Sequence, residues 1–228
     1  MASPVERWSL ANAVGMLAAT AGAMWTGHVW PILLVGGGGL AGFVGVAWGR
    51  WTPEGAFGAA NAVTAVRAVF LAGLPLAAEV DPLGVVGLGI VVLVADGLDG
   101  WLARRDDLGS EFGAFFDKET DALFLLLLCV LAVFEGRLPP WILAAGLLRY
   151  GFVPLLFVLP APQQTEDRSS WARYVYTGTV LALLTAFLPL PPALYQPVVA
   201  LAAGALGLSF ARSLWRIVPR RQPFGRSS

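Results

Sequence analysis

Charged residues are scarce in this chain, making up only 13% of its 228 residues, whereas apolar residues make up 57%. A soluble domain averages about 25% charged and about 45–50% apolar residues. Both values therefore indicate a membrane protein rather than a soluble one. The formal net charge is zero, and no basic arm or strip of basic and aromatic residues predicts a nucleic-acid binder.

Cysteine and histidine are almost absent as well. Cys129 is the one cysteine and His28 is the one histidine in the sequence. One thiol cannot form an intramolecular disulfide, and we expect Cys129, which lies in an apolar run, to be an inert thiol that is either buried or facing lipid. A zinc site built from histidine and cysteine is excluded, and a catalytic triad that depends on histidine is not expected.

Long apolar runs, in contrast, follow one another through the whole chain. A helix of about 20 apolar residues crosses the hydrocarbon core of a bilayer, and Thr52 followed by Pro53 is typical of a helix start. The sequence predicts an all-α integral membrane protein of eight spans. They cover residues 9–27, 30–49, 57–79, 82–104, 112–135, 139–160, 172–190 and 194–216.

The arginines indicate how these spans are oriented. If the first span begins inside the cell, nearly all arginines near span ends lie at the cytoplasmic face, and Arg137 alone lies in an outer loop. Basic residues prefer the cytoplasmic side of membrane proteins. We therefore predict a protein of the cell membrane with both termini in the cytoplasm.

Glycines are concentrated in the second span. Gly38 and Gly42 have the small-xxx-small spacing that lets membrane helices approach closely. A phosphate-binding loop is the alternative interpretation, but no lysine or polar side chain accompanies these glycines. We expect a helix-packing role.

Acidic residues are concentrated around the link between the fourth and fifth spans, where eight of the fifteen lie between positions 96 and 121. Asp96 and Asp99 are three residues apart and Asp117 and Asp121 are four apart, so each pair shares one face of a helix. The short link predicts antiparallel neighbours whose carboxylate pairs oppose each other just inside the cytoplasmic surface. Carboxylates at this depth are costly and indicate a functional site.

Four carboxylates in one pocket repel one another unless cations bind them. Oxygen ligands without histidine or cysteine favour Mg²⁺ or Mn²⁺. Four carboxylates suit two ions about 3.5–4 Å apart, an arrangement that serves phosphoryl transfer. Gly100, Ala103 and Gly113 leave room for a flat base or a diphosphate, and Arg104 can bond phosphate oxygens. The alternatives are a buried ion-pair network with arginines, and a transporter or cation-binding membrane protein.

The other acidic residues of this stretch have simpler interpretations. Glu111 follows Ser110 at the start of the fifth helix, where a carboxylate interacts favourably with the helix dipole. Asp106 and Asp107 are expected in a solvated turn. Glu119 is expected to be a surface or interface charge.

The acidic stretch resembles the signature of the CDP-alcohol phosphotransferases. The family pattern is D-x2-D-G-x2-A-R-x8-G-x3-D-x3-D, and the sequence matches each of its fixed positions. They are Asp96, Asp99, Gly100, Ala103, Arg104, Gly113, Asp117 and Asp121. The resemblance implies a six-helix membrane core, usually dimeric, which residues 51–228 would supply. Residues 1–50 would add two further transmembrane helices.

The resemblance also implies a reaction of phospholipid biosynthesis. A CDP-linked alcohol, commonly CDP-diacylglycerol, transfers its phosphoryl-alcohol group to an acceptor hydroxyl and releases CMP. By similarity, Asp96, Asp99 and Asp117 hold the metal ions, and Asp121 completes the metal site and acts as general base. The cytidine diphosphate pocket is lined, again by similarity, by Gly100, Ala103, Arg104 and Gly113. The pattern does not identify the acceptor alcohol.

Residues outside the signature are expected to contribute to binding. Asn61, Thr64 and Arg67 match an N-x2-T-x2-R pattern that opens the core in this family, often near the nucleotide. The alternatives are a Thr64 hydroxyl bonded to its own helix and an Arg67 side chain that extends to the membrane interface. Arg149, well inside the sixth span, and Arg173 are expected to bind a phosphate of donor or acceptor. The alternative for Arg149 is pairing with a carboxylate of the signature motif or with a helix carbonyl.

Overall fold

All regular secondary structure in the part of the chain that the structure describes is helical. A computed structural model describes residues 4–105, 110–158 and 170–217, and their side chains except at 4, 99–105, 158, 170, 216 and 217. Each helix overlaps one predicted span, and the all-α prediction is confirmed. The elements are α1 (Pro4–Thr26), α2 (Trp30–Val46), α3 (Ala59–Val80), α4 (Pro82–Arg105), α5 (Glu111–Phe134), a 3₁₀ turn (Pro140–Ile142), α6 (Leu143–Val158), α7 (Ser170–Thr185) and α8 (Pro192–Ile217).

Three segments of the described chain are helical, long and apolar enough to cross a membrane. They are Ala59–Val80, Pro140–Phe157 and Pro192–Trp215. Trp30–Val46 and Pro82–Leu98 are apolar over shorter lengths. These segments support an integral membrane protein, while the number of eight spans stays a prediction.

The start of α3 differs from the prediction. The sequence pattern at Thr52 is typical of a helix start, but α3 begins at Ala59, after Gly58 with a φ of 77°. The Thr52 hydroxyl instead donates a hydrogen bond to the Ala56 carbonyl oxygen at 2.7 Å. The prediction is wrong because this hydroxyl closes a turn in the link rather than capping a helix.

The fifth helix lies at the centre of the bundle. α5 packs against α2, α3, α6 and α7. Every residue from Ala122 to Ala132 is buried, so this apolar stretch is enclosed on all sides. Cys129 lies within it and is a buried free thiol, as expected.

The first two helices form a hairpin that packs against the other helices. α1 contacts α2 and α6, and α2 contacts α5. The ring of Trp8 on α1 stacks on Phe43 of α2 with 4.3 Å between centroids, and Phe43 stacks on Phe112 of α5 at 4.9 Å. This N-terminal hairpin, α1 and α2, therefore shares a buried aromatic interface with the central helix.

The glycines of α2 permit close contacts, although not at Gly38. No atom lies within 4 Å of the position that a Cβ would take at Gly38. At Gly36 that position is 2.8 Å from Leu123 Cδ1 on α5, and at Gly39 it collides with Asn12 Oδ1 on α1. The packing prediction is therefore wrong for Gly38, which faces open space, because the approaching side of α2 carries Gly36 and Gly39.

We expect Gly39→Ala to lower the melting temperature of the protein in detergent relative to Gly38→Ala. Both changes replace a helical glycine by alanine, which by itself favours the helix by about 1 kcal/mol. Only the methyl group at position 39 meets Asn12, and an extra carbon in a packed interface costs about 1–3 kcal/mol. Equal melting temperatures for the two variants would contradict the close approach of α1 and α2.

Candidate active site

Three signature aspartates meet between α4 and α5. One carboxylate oxygen from each of Asp96, Asp117 and Asp121 lies within 4.8 Å of the others. Asp96 comes from α4, and the other two lie one turn apart on α5. The structure thus brings together three of the four aspartates that are predicted to share one pocket.

The remaining signature residues of α4 have side chains outside the described set. They are Asp99, Gly100, Ala103 and Arg104. The backbone of α4 continues as a helix through Arg105, so the three-residue spacing places position 99 on the same face as position 96. The roles assigned to these four residues stay predictions.

A buried arginine lies beneath the three aspartates. The Arg67 side chain is 1% exposed, whereas the aspartate side chains are 19–31% exposed. Its Nη1 donates to Asp117 Oδ1 at 2.8 Å, and its Nη2 donates to Asp121 Oδ1 at 2.5 Å and lies 3.1 Å from Asp96 Oδ1. Arg67 therefore holds all three carboxylates from the protein interior and leaves them accessible from the other side.

The placement of Arg67 decides between two interpretations of the sequence. Extension to the membrane interface is wrong, because the guanidinium is buried and paired with three carboxylates. The sequence signal for this role is the repeat of Asn61, Thr64 and Arg67 at every third position, which places all three on the buried face of α3. The family pattern associates Arg67 with the nucleotide, whereas these contacts agree with the alternative of a buried ion-pair network between the aspartates and an arginine.

Asn61 connects the start of α3 to α5. Its Nδ2 donates to the Phe57 carbonyl oxygen at 2.7 Å and to a second carbonyl of the same link at 3.3 Å. A Cβ added to Gly113 would lie 2.7 Å from Asn61 Oδ1, so glycine is needed for this approach. Thr64 Oγ1 donates to the Ala60 carbonyl oxygen at 3.2 Å, which agrees with the backbone-bonded alternative. The nucleotide role of Asn61 and Thr64 stays a prediction.

The charge and ligand type of this group suit a divalent cation. Among the described side chains, three aspartates and one arginine form the cluster, so its formal net charge with every group ionised is −2. Its acidic members offer carboxylate oxygens alone, which are the ligands that Mg²⁺ and Mn²⁺ prefer. The residues present therefore fit a hard cation on their exposed side.

The two arginines expected to bind phosphate are placed elsewhere. Arg149 on α6 donates to Glu119 Oε1 from Nε at 3.1 Å and from Nη2 at 2.5 Å. A helix turns by about 100° per residue, so Glu119 points to the side of α5 opposite to Asp117 and Asp121. Arg173 is exposed near the start of α7. Phosphate binding by these arginines stays a prediction.

Glu119 is buried where α5 meets α1 and α6, so of its two expected positions, surface or interface, the surface position is wrong. Its side chain is 3% exposed. Besides pairing with Arg149, it accepts a hydrogen bond at Oε2 from Asn12 Nδ2 of α1 at 3.0 Å. These partners lie 30 and 107 residues away in the sequence. No local pattern around Glu119 therefore signals its burial.

Comparison with known proteins agrees with the signature. The family model described as CDP-alcohol phosphatidyltransferase matches residues 57–211, which include α3 and the aspartates but not the N-terminal hairpin. A curated relative, CDP-diacylglycerol--glycerol-3-phosphate 3-phosphatidyltransferase 2 of Arabidopsis thaliana, is 46% identical over 57 residues. The match covers 22% of this chain and 24% of that relative. No solved structure matches the chain significantly.

Proposed function

This chain belongs to the CDP-alcohol phosphatidyltransferase family, and we propose on this basis that it is a membrane-embedded phosphatidyltransferase of phospholipid biosynthesis. The donor is a CDP-alcohol, with CDP-diacylglycerol as the first candidate, and the products are a phosphodiester and CMP. The observation that carries the proposal is the convergence of Asp96, Asp117 and Asp121 above Arg67. The name of the Arabidopsis relative supports glycerol 3-phosphate as the first acceptor to test.

The proposed chemistry uses the aspartates in two ways. Asp96, Asp99, Asp117 and Asp121 would hold two ions of Mg²⁺ or Mn²⁺, whose positive charge stabilises the donor diphosphate and the departing CMP. The Asp121 carboxylate takes the proton of the acceptor hydroxyl. As the acceptor oxygen bonds to the phosphatidyl phosphorus, the bond from that phosphorus to the CMP oxygen breaks. Arg67 orients Asp121 through their hydrogen bond.

The nucleotide is proposed to lie beside the aspartates, near the start of α5. Gly113 lies one turn before Asp117, and its contact with Asn61 brings α3 to the same place. The proposed pocket combines the signature positions with the α3 pattern. Its residues are Gly100, Ala103, Arg104, Gly113, Asn61 and Thr64.

Phosphate binding by Arg149 and Arg173 is retained as part of the proposal. For Arg149, a substrate phosphate would have to reach the side of α5 that carries Glu119, because the two side chains are paired there. For Arg173, exposure on α7 permits contact with a lipid phosphate. Each of these two arginines would bind a phosphate group, of either the donor or the acceptor.

We further propose eight membrane spans, with both termini and the active site on the cytoplasmic side. The positions of the arginines support this orientation, and the eight helices of the described ranges support the number of spans. Residues 51–228 would form the six-helix core, and residues 1–50 would add two helices. The partners would be membrane lipids and a second copy of the chain in a homodimer.

Purified protein is expected to release CMP from CDP-diacylglycerol only when both an acceptor and Mg²⁺ or Mn²⁺ are present. The acceptors to compare are glycerol 3-phosphate, inositol phosphate, serine and choline. Chelation should abolish the release, and adding back the metal should restore it, because the carboxylate cluster carries net negative charge. Binding of Mn²⁺ without CMP release from any acceptor would contradict the proposal and favour a cation-binding protein.

A further inference from the structure

The side of α5 opposite to the aspartates carries its own set of contacts. Glu119, Leu123 and Leu126 follow one another on this side at helical spacing, and all three are buried. α2 approaches Leu123 at Gly36, where a Cβ would lie 2.8 Å from Leu123 Cδ1. α6 approaches Leu126 at Gly146, where a Cβ would lie 2.9 Å from Leu126 Cα. The N-terminal hairpin and α6 therefore pack on the rear of α5.

One buried carboxylate, Glu119, connects α5 to the N-terminal hairpin and to α6. Glu119 binds Arg149 of α6 through Oε1 and Asn12 of α1 through Oε2. Asn12 is seated against Gly39 of α2, and its Oδ1 is buried without a hydrogen-bond partner among the described residues. We call Asn12, Glu119 and Arg149 the rear clamp. Burying the Asn12 oxygen without a partner is unfavourable. The side chain is held in this place by the hydrogen bond from its nitrogen to Glu119.

Beyond the aspartates, the rotation of α5 about its own axis is constrained by apolar packing at Gly36 and Gly146 rather than by polar contacts. From Ala122 to Ala132 the helix is apolar and buried on all sides, so burial alone does not favour one rotation over another. On the front side, Asp117 and Asp121 repel each other while sharing Arg67. A buried polar contact with a fixed partner can specify the register of a packed helix. The rear clamp has this property.

We propose that the rear clamp sets the rotation of α5 and thereby positions Asp117 and Asp121 over Arg67. Asn12 and Glu119 are positioning residues, since neither lies at the aspartates. Asn12 belongs to the hairpin that precedes the family match at 57–211. Helices outside the family region would therefore determine the geometry of the site within it. The rotation is independent of the proposed function, whereas its consequence for cation binding rests on that function.

Cysteine labelling can measure the rotation without metal or substrate. Ala114 lies on the aspartate side of α5 and Phe115 lies on the side of Glu119, by helical spacing, and both are partly exposed. Ala114→Cys and Phe115→Cys are made separately in a Cys129→Ala background and reacted with a water-soluble maleimide. A rotation slows labelling at one position and speeds it at the other, whereas general loosening speeds both.

Asn12→Leu is expected to change the ratio of the two labelling rates by about tenfold. This factor corresponds to about 1.4 kcal/mol, the order of a hydrogen bond to a charged group. Thr20→Val is the matched control, because it removes a buried hydroxyl of α1 whose one hydrogen bond within the described part of the chain goes to Met16 of the same helix. An unchanged ratio in Asn12→Leu would overturn the proposal.

A donor–acceptor exchange tests the hydrogen bond itself. Asn12→Asp alone places two carboxylates against each other and is expected to change the labelling ratio as well. In the double variant Asn12→Asp with Glu119→Gln, the glutamine can donate to the aspartate and still accept from Arg149. The double variant is expected to restore the original ratio. Failure to restore it, with both single variants folded, would reject the clamp as the cause.

Binding of Mn²⁺, followed by electron paramagnetic resonance, reports the consequence for the site. Asn12→Leu is expected to weaken Mn²⁺ binding by about tenfold, and the double variant to restore it. Wild-type protein that binds no Mn²⁺ would count against the proposed function, while the labelling ratio would still decide on the clamp. A changed ratio with unchanged Mn²⁺ affinity would overturn the positioning of the aspartates.

Discussion

Replacing Arg67 by methionine is expected to destabilise the metal-free protein by about 3–5 kcal/mol, the range measured when one partner of a buried ion pair is removed. Methionine fills much of the same volume but leaves Asp96, Asp117 and Asp121 without the guanidinium that holds all three. The carboxylates would then repel one another at close range. The melting temperature in detergent with chelator present measures the effect.

Addition of excess Mn²⁺ should recover more stability in Arg67→Met than in the wild-type protein. A cation bound only by the folded state stabilises that state, and in the variant it would also replace the missing positive charge. Arg212→Met is the matched control, since it removes an exposed arginine of α8. If Arg67→Met and Arg212→Met had the same melting temperature, the ion-pair cluster would contribute nothing to stability.

The second large effect is expected from Asp121→Asn, which should reduce CMP release by about 10²–10⁴-fold, the contribution of a general base. The amide keeps an oxygen that can accept the hydrogen bond from Arg67 Nη2, now 2.5 Å from Asp121 Oδ1. We therefore expect the variant to fold. Glu111→Gln on the same helix is the control, because it also removes one acidic charge but at an exposed position.

Metal titration separates the two roles proposed for Asp121. If excess Mn²⁺ restores CMP release in Asp121→Asn, the lost function is metal binding. If release stays low at saturating metal, the lost function is proton acceptance. Release close to that of Glu111→Gln at low metal would contradict both roles and would remove Asp121 from the proposed site.

The helices were predictable because each long apolar run is a local feature of the sequence. Their ends were less predictable, since short-range hydrogen bonds decide them. Thr52 closes a turn in the link instead of starting α3, and α7 ends at Thr185 rather than at residue 190. In contrast, Ser110 does cap α5, and its side chain accepts a hydrogen bond from the Gly113 amide at 2.9 Å.

In the candidate site too, contacts between residues close in the sequence were predictable, and contacts between distant residues were not. The meeting of Asp96 with Asp117 and Asp121 could be inferred from spacing along two adjacent helices and a short link. The role of Arg67 required knowing that α3 packs on α5. The burial of Glu119 depends on partners from α1 and α6, and such distant pairings leave no periodic pattern.

The enclosed stretch Ala122–Ala132 of α5 is surrounded by protein in the folded state. A membrane helix is inserted by its own hydrophobicity and packs against other helices afterwards. Within the proposed membrane topology, these residues therefore pass through two environments, lipid at insertion and other helices after assembly. A polar substitution there would be selected against at both stages. An exchange between apolar residues of different size would pass the first stage and fail only at the second, so this segment should tolerate fewer changes than its hydrophobicity alone implies.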